Sequence, residues 1–482
     1  MAELPNVKAD DALARRNATT MLFRRWNAMR IALSALIVAG VLAGTATPAV
    51  AAPPWSTPDP LPVPEGGDIL FAPTIGAGQS GERLISYRFR RDLEGPLVPN
   101  AALATLPSRA QRTLATLAAP PAPYAQSRAA YLRLRPAPGS DRNAPRGDLG
   151  VSFGSTQGTV GSFRVLQRDV RISEIGITPN LGDYAIDANV RGQVAVAYVD
   201  RRDDRDYLRL ALRAPGREVA APRVIVGRGG RISDIALAYG EGGDLVIAYQ
   251  RAFREDGRLV RRIESRVQRA GHSLGDIQAL GPSDGAVEVD AAMAPTGRTI
   301  VIWGEEDAGE EVSQPWTVRA AVRPAGPRSF RQATILDEGV PNLGHRGGVH
   351  VATAPDGRAT VLWSSTAEIP GAFNSAWPVR SATTDASARF AEPQQLDDSG
   401  AASDVVVADD GTAYATWSAI TQERDDQVLA AARTPGGPFA AAEAVSEPGG
   451  AAESALTIDP TTGRPSSVWI ANQRAFTATR GG

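Results

Sequence analysis

Gly271-His272-Ser273-Leu274-Gly275 has the G-x-S-x-G form that lifts a serine nucleophile above a parallel sheet when it sits on a strand-to-helix turn. Here it falls between two extended segments, at a place where other parts of the chain carry AGPRSF or PGGPF, so it reads as a turn. Gly76-x-Gly78-x-x-Gly81 has the spacing of a dinucleotide-binding loop, which needs a following helix to hold the pyrophosphate. ERLISYRF follows instead and alternates like a strand. A Walker-type phosphate loop requires a lysine, and Lys8 is the only one. The three histidines, His272, His345 and His350, form no H-E-x-x-H and no zinc spacing. There is no cysteine, which excludes disulfides, thiolate metal sites, cysteine nucleophiles and a lipid-bearing cysteine. No D-x-D-x-D-G loop offers a calcium site, so no cofactor and no metal are expected.

What remains is a series of acidic clusters, each just after an aromatic residue. They hold Asp200, Asp203, Asp204 and Asp206, then Glu305, Glu306, Asp307, Glu310 and Glu311, then Glu423, Asp425 and Asp426. The aromatics themselves recur. A glycine followed six residues later by an aromatic is found at Gly192/Tyr198, Gly243/Tyr249, Gly297/Trp303, Gly357/Trp363, Gly411/Trp417 and Gly463/Trp469, with glycine spacings of 51, 54, 60, 54 and 52. Such a period signals a repeat architecture.

The residues inside each match define the element. QVAVAY, DLVIAY, RTIVIW, RATVLW, TAYATW and RPSSVW carry apolar or small side chains on both alternating faces, so each is a strand covered on both sides. The glycine sits in a hairpin turn such as Pro355-Asp356-Gly357. Another strand precedes each turn (VHVATA, DVVVAD), a third follows the acidic loop (TVRAAVR, QVLAAAR), and a shorter fourth comes next (RQATIL, EPQQL). Four antiparallel strands in about 50 residues, stacked face to face, describe an all-β fold, a β-propeller of four-stranded antiparallel blades. Tandem β-sandwiches need about 100 residues each, twice the period. Arginines that end several third strands (Arg213, Arg323, Arg433) recur blade by blade and read as structural.

The repeat runs clearly over 165–482 as six blades. The segment 52–164 holds degenerate blades, with Gly81/Tyr87 and Gly147/Phe153 as further matches and an Ala/Pro-rich insertion that includes a helix-like stretch at 101–118. Seven blades are expected, with six or eight as the alternatives. The last repeat ends without its fourth strand, so the other terminus is expected to supply it, and DILFAPT at 68–74 is the candidate.

Across about 165–482 the chain resembles the broad group of secreted bacterial β-propeller repeat proteins. It departs from the Asp-box sialidases, whose tryptophan falls three residues after the glycine, and from quinoprotein repeats, whose tryptophan falls four after it. It has no Trp-Asp dipeptide of WD repeats.

Arg15, Arg16, Arg24, Arg25 and Arg30 precede the apolar run Ile31–Gly44, and Ala49-Val50-Ala51 forms a small-x-small exit, the parts of a secretory signal peptide over 1–51. A retained anchor is the alternative, although a run of 14 residues falls short of the roughly 20 that span a bilayer. The expected location is therefore secreted or extracytoplasmic, including the cell surface, with no membrane span in the mature chain. N-terminal sequencing of exported protein should begin at Ala52, and a membrane-retained chain with Ile31–Gly44 intact would refute cleavage. Net charge is −2 over 482 residues, so no positive field argues for nucleic acid.

Two functions fit. The first is a non-enzymatic binding or scaffold protein for a protein or glycan, with contacts on the loop-bearing face from Asp203, Asp204, Glu305, Glu306, His345 and Arg346, positions that differ from blade to blade. The alternative is a carbohydrate-active hydrolase or lyase, such as a sialidase-like glycosidase, with its site at the mouth of the central channel. Carboxylates from different blades would converge there without leaving a linear motif.

Overall fold

A computed structural model describes residues 54–481 except 63–67, 79–80, 91–99, 107–109, 115–121, 126–127, 137–145, 156–159, 172–180, 203–204, 228, 284–286, 307–315, 327, 339–347, 366, 369–374 and 420–425. The signal-peptide segment 1–51 lies outside the described residues. Every described element is a strand; no helix occurs among them. Apart from Ala367–Glu368 and Ser375–Ala376, which pair as a small two-stranded sheet, they form eight four-stranded antiparallel sheets, spanning 68–114, 122–171, 181–226, 231–282, 287–338, 349–397 and 400–444, with the eighth made of 451–479 and 59–60. The first strands of successive sheets pack against one another in chain order, and Ala451–Ile458 of the eighth packs on Asp68–Ala77 of the first. The sheets therefore stand around a central channel in the manner of a propeller.

Each inner hairpin turns where the repeat places its glycine. Gly192, Gly243, Gly297, Gly357 and Gly411 have φ of 77°, 91°, 81°, 87° and 83°. In these turns the glycine N–H donates to the carbonyl three residues back, as from Gly357 to Ala354 at 2.9 Å. A turn closed by a left-handed residue is a standard three-residue hairpin link, and only glycine enters that region without cost. Six residues on, the chain is in the second strand, flanked by its own sheet and by two neighbouring sheets. Tyr87, Tyr198, Tyr249, Trp303, Trp363, Trp417 and Trp469 are all 0–1% exposed there. Trp363 Nε1 donates to Asp337 Oδ2 of the preceding sheet at 2.8 Å, and Trp417 Nε1 to Asp397 Oδ2 at 2.9 Å. The aromatic thus fills the space between two sheets and pins the outer strand of one to the core of the other.

The recurring arginines lock these hairpins. Arg323, nearly fully buried, donates to the carbonyls of Arg328, Gly297 and Gly326 at 3.0, 3.3 and 2.7 Å. Arg213 donates to Gly192 O, and Arg433 to Thr360 Oγ1.

The N-terminus closes the ring, though through a different segment from the one expected. Asp59–Pro60 pairs with Arg474–Thr479 as the outermost strand of the eighth sheet, and Leu61 N donates to Ala475 O at 2.8 Å. An outer edge tolerates Pro60, because no further strand needs its missing N–H. Leu61 is buried with Ile85, Tyr87, Val468 and Ile470, and Tyr87 Oη donates to Pro62 O. DILFAPT instead forms most of the inner strand Asp68–Ala77 of the first sheet. Cleavage before Ala52 would leave this closing strand intact.

Three further expectations are corrected. The helix-like stretch 101–118 holds strands Asn100–Leu106 and Ala110–Leu114, because pairing within the first sheet outweighs the helix preference of Ala and Leu. Gly147/Phe153 lies within one strand, Arg146–Ser155, the third of its sheet, and is not a hairpin match, whereas Gly81/Tyr87 is one. The described sheets number eight rather than seven. The two motif-like stretches are turns as read. Gly275 N returns to Val267 O at 2.8 Å, and Gly81 N to Gly78 O at 3.0 Å before strand Arg83–Arg90.

Candidate functional site

The inner strands present carboxylates to the channel. Asp290, His350 and Asp404 each precede a hairpin glycine by seven residues, so they occupy one level on the adjacent fifth, sixth and seventh sheets. Asp187 lies on the inner strand of the third sheet, Leu181–Ala188. All four are half-buried.

The three aspartates share one bonding pattern. Asp187 Oδ1 accepts from Ala188 N at 2.7 Å and Oδ2 from Tyr239 N of the next sheet at 2.7 Å. Asp290 accepts from Ala291 N at 2.7 Å and from Val351 N at 2.9 Å. Asp404 accepts from Val405 N at 2.7 Å and from Leu456 N at 2.7 Å. Each carboxyl therefore ties one inner strand to the next, across the third–fourth, fifth–sixth and seventh–eighth seams. The second lone pair of each oxygen remains for a ligand or a proton.

Electrostatics couples these groups. Burial pushes Asp187 up to about 7, against the backbone donors and with a further push from Asp290. Burial likewise raises Asp404 to about 6, with His350 acting downward and Asp290 upward. Asp290 is raised by burial and pulled down by His350. Asp187 and Asp404 therefore change protonation near neutrality, and Asp290 is raised in the same direction, the property an acid–base pair needs.

His350 Nε2 is buried and has no hydrogen-bond partner among the described residues. Its ring packs against Gly348. A Cβ there would stand 2.8 Å from His350 Nε2 and 3.1 Å from Glu288 Oε2. Asp234 and Glu453, on the inner strands of the fourth and eighth sheets, lie at bulges with φ of 51° and 46°. For non-glycine residues that conformation is uncommon. Among the described residues, no three His, Asp or Glu side chains converge in a metal-holding group.

Of the residues expected to contact a ligand, Glu305 is buried and accepts from Arg319 Nε at 2.6 Å within the fifth sheet. Glu306 ends the strand Thr299–Glu306 opposite Trp316. Asp203, Asp204, His345 and Arg346 lie outside the described residues. Other acids of the same loops are engaged between strands. Asp200 pairs with Arg209 at 2.6 Å, and Asp206 pairs with Arg201 at 2.8 Å while accepting from Ile232 N. The channel carboxylates carried a signal that the sequence reading did not use, an ionisable residue seven before the glycine in three successive repeats.

The chain matches no protein-family model and no curated protein. Solved structures similar to it include the Hadza microbial sialidase Hz136, at 11% identity over 70% of this chain and 73% of that one, with a TM-score of 0.37. The polysaccharide lyase Uly1 is 9% identical over 74% of this chain and 88% of that one, with a TM-score of 0.42. A Penicillium chrysogenum alpha-L-arabinanase complexed with arabinobiose is 14% identical over 62% and 93%, with a TM-score of 0.35. These comparisons correct the order of the two functions. A non-enzymatic binding or scaffold protein had been placed first, whereas the similar structures are mostly glycoside hydrolases and polysaccharide lyases, the class that had been placed second.

Proposed function

We propose that this protein is a carbohydrate-active hydrolase or lyase working at the mouth of an eight-bladed propeller's central channel, and that it acts outside the cytoplasm once the 1–51 segment has been removed. The carrying observation is the inner-strand cluster Asp290, His350 and Asp404, with Asp187 electrostatically linked to it. Cleavage of a glycosidic bond needs one carboxyl that gives a proton to the leaving oxygen and one carboxylate that attacks or activates water. Neighbouring acids that raise one another divide these tasks, because the first to ionise keeps the second protonated. His350, between Asp290 and Asp404 in sheet order, favours the ionised form of both.

The test is a panel of neutral and acidic polysaccharides assayed for reducing-end release and for unsaturated products, using the purified full chain. Turnover of at least one class is expected, and the product type assigns hydrolase or lyase. No turnover of any polysaccharide across pH 5 to 8 would end the enzymatic reading.

A further inference from the structure

The fourth sheet differs from the others in the length of its second and third strands, Leu245–Glu255 and Arg258–Gln268, which pair through eleven residues up to the turn at Asp256-Gly257. That hairpin carries Arg251, Arg254, Arg258, Arg261, Arg262 and Arg266 against three acidic residues. Beside it a pocket of about 590 Å³ is lined by Gly229, Gly230, Arg231, Arg251, Phe253, Arg254 and Leu259, among others. Gly229 and Gly230 lead into the inner strand Arg231–Tyr239, so the pocket adjoins the channel wall at the hairpin-bearing end.

The pocket wall is built, not incidental. Gly230 has a φ of 122°, and a Cβ there would stand 2.2 Å from Ala252 O, so only glycine lets this segment pass so close to the second strand. Fully buried Glu264 accepts from the Tyr249 hydroxyl at 3.0 Å and from Arg262 Nε at 2.8 Å, and pairs with Arg251 at 3.5 Å. Arg251 also donates to Gly229 O at 3.1 Å. The Phe253 ring carries Arg262 at 4.6 Å and Arg251 at 5.3 Å. One carboxylate and one aromatic ring thus hold two guanidiniums in place. Arg231 and Arg254 are exposed at the same pocket, and neither has a carboxylate partner among the described residues. Leu259, 52% exposed, supplies an apolar side.

We infer that this pocket holds the carboxylate or sulfate of an acidic sugar unit, so that the substrate is an anionic glycan. Planar guanidiniums recognise such oxyanions through paired, charge-assisted hydrogen bonds, and Leu259 would lie against the apolar face of the ring. The inference rests on the carbohydrate reading above. Its spacing agrees with that reading. Ala236 stands seven residues before Gly243, at the level of Asp290, and across the Asp234 bulge it is separated from Arg231 by the four partner positions from Ala248 to Ala252, about 13 Å. An anchored acidic unit at the pocket would leave its neighbours reaching down toward the channel carboxylates.

The test titrates the full chain with cellohexaose, with a galacturonate hexamer and with a sulfated hexasaccharide, alongside inorganic sulfate. The R231Q/R254Q and R231K/R254K double variants are run in parallel. The wild type should bind at least one anionic oligosaccharide about tenfold more tightly than the neutral one, with a preference that falls as salt rises. R231Q/R254Q should lose that preference while keeping its thermal midpoint, and R231K/R254K should retain part of it. Uronate preference alone names a carboxylate ligand, and preference for the sulfated sugar names a sulfate ester. Equal binding of neutral and anionic sugars, or an anionic preference that R231Q/R254Q leaves unchanged, overturns the pocket and leaves the enzymatic reading in place. Binding of inorganic sulfate without any glycan, or no binding of any probe, overturns the pocket together with the glycan reading.

Discussion

Replacing Asp404 with Asn is expected to lower glycan turnover about 10²–10⁴-fold, the range that a positioned acid or base contributes. Asp290→Asn should act in the same way, because both carboxyls face the same channel level beside His350. Each variant also loses one backbone hydrogen bond, since an amide nitrogen cannot accept from Leu456 N or Val351 N. A stability loss of about 1–3 kcal/mol should therefore accompany the kinetic effect, and turnover must be compared well below the thermal midpoint of each variant. In the wild type, the rate should rise as Asp404 ionises near about 6 and fall once Asp290, raised by burial, loses its proton. Stability should have the opposite dependence to that of an ordinary paired carboxylate. These aspartates bind their proton more tightly folded than unfolded, so their contribution is greatest below the ordinary carboxylate value. It is lost as pH climbs toward 6 and 7. Asp187→Asn should flatten that decline. Turnover within twofold of wild type in both Asp290→Asn and Asp404→Asn would move the chemistry out of the channel.

Trp363→Ala should cost about 3–5 kcal/mol, measured by denaturant unfolding of the full chain, because the ring is wholly enclosed between two sheets and the space cannot collapse. The hydrogen-bond share can be separated from the volume share. Trp363→Phe keeps most of the ring but removes the donor to Asp337, whose other partner is Arg380 at 2.8 Å. Trp303 is equally buried, yet its Nε1 has no hydrogen-bond partner among the described residues. Trp303→Phe should therefore be milder than Trp363→Phe by about 1–3 kcal/mol, the penalty for orphaning a buried acceptor. An unchanged midpoint for Trp363→Ala would mean that the sixth sheet is not packed as described.

The repeated strands were legible in the sequence because their cause is local. A left-handed turn demands glycine, and a strand covered on both faces demands unbroken apolar residues ending in a large one, so Gly357 and Trp363 announce their positions without knowledge of the neighbours. The missing fourth strand of the last repeat was legible for the same reason, as a gap in a period. Its replacement was not. Asp59–Pro60 is too short to show alternation, and only the register with Thr477 and Phe476 defines it as a strand. DILFAPT has the apolar run of a strand, but it is consumed by the inner strand of the first sheet. The Ala-rich stretch at 101–118 looked helical by propensity, and sheet pairing overrode it. The candidate site left only a periodic trace in the sequence, an ionisable residue seven before the glycine in three repeats, and its assembly belongs to the tertiary structure. Asp290, His350 and Asp404 are 60 and 54 residues apart in the chain, and no local interaction links them. They become neighbours only because the ring sets equivalent positions of successive sheets side by side, and their shared burial there raises the pKa of both aspartates.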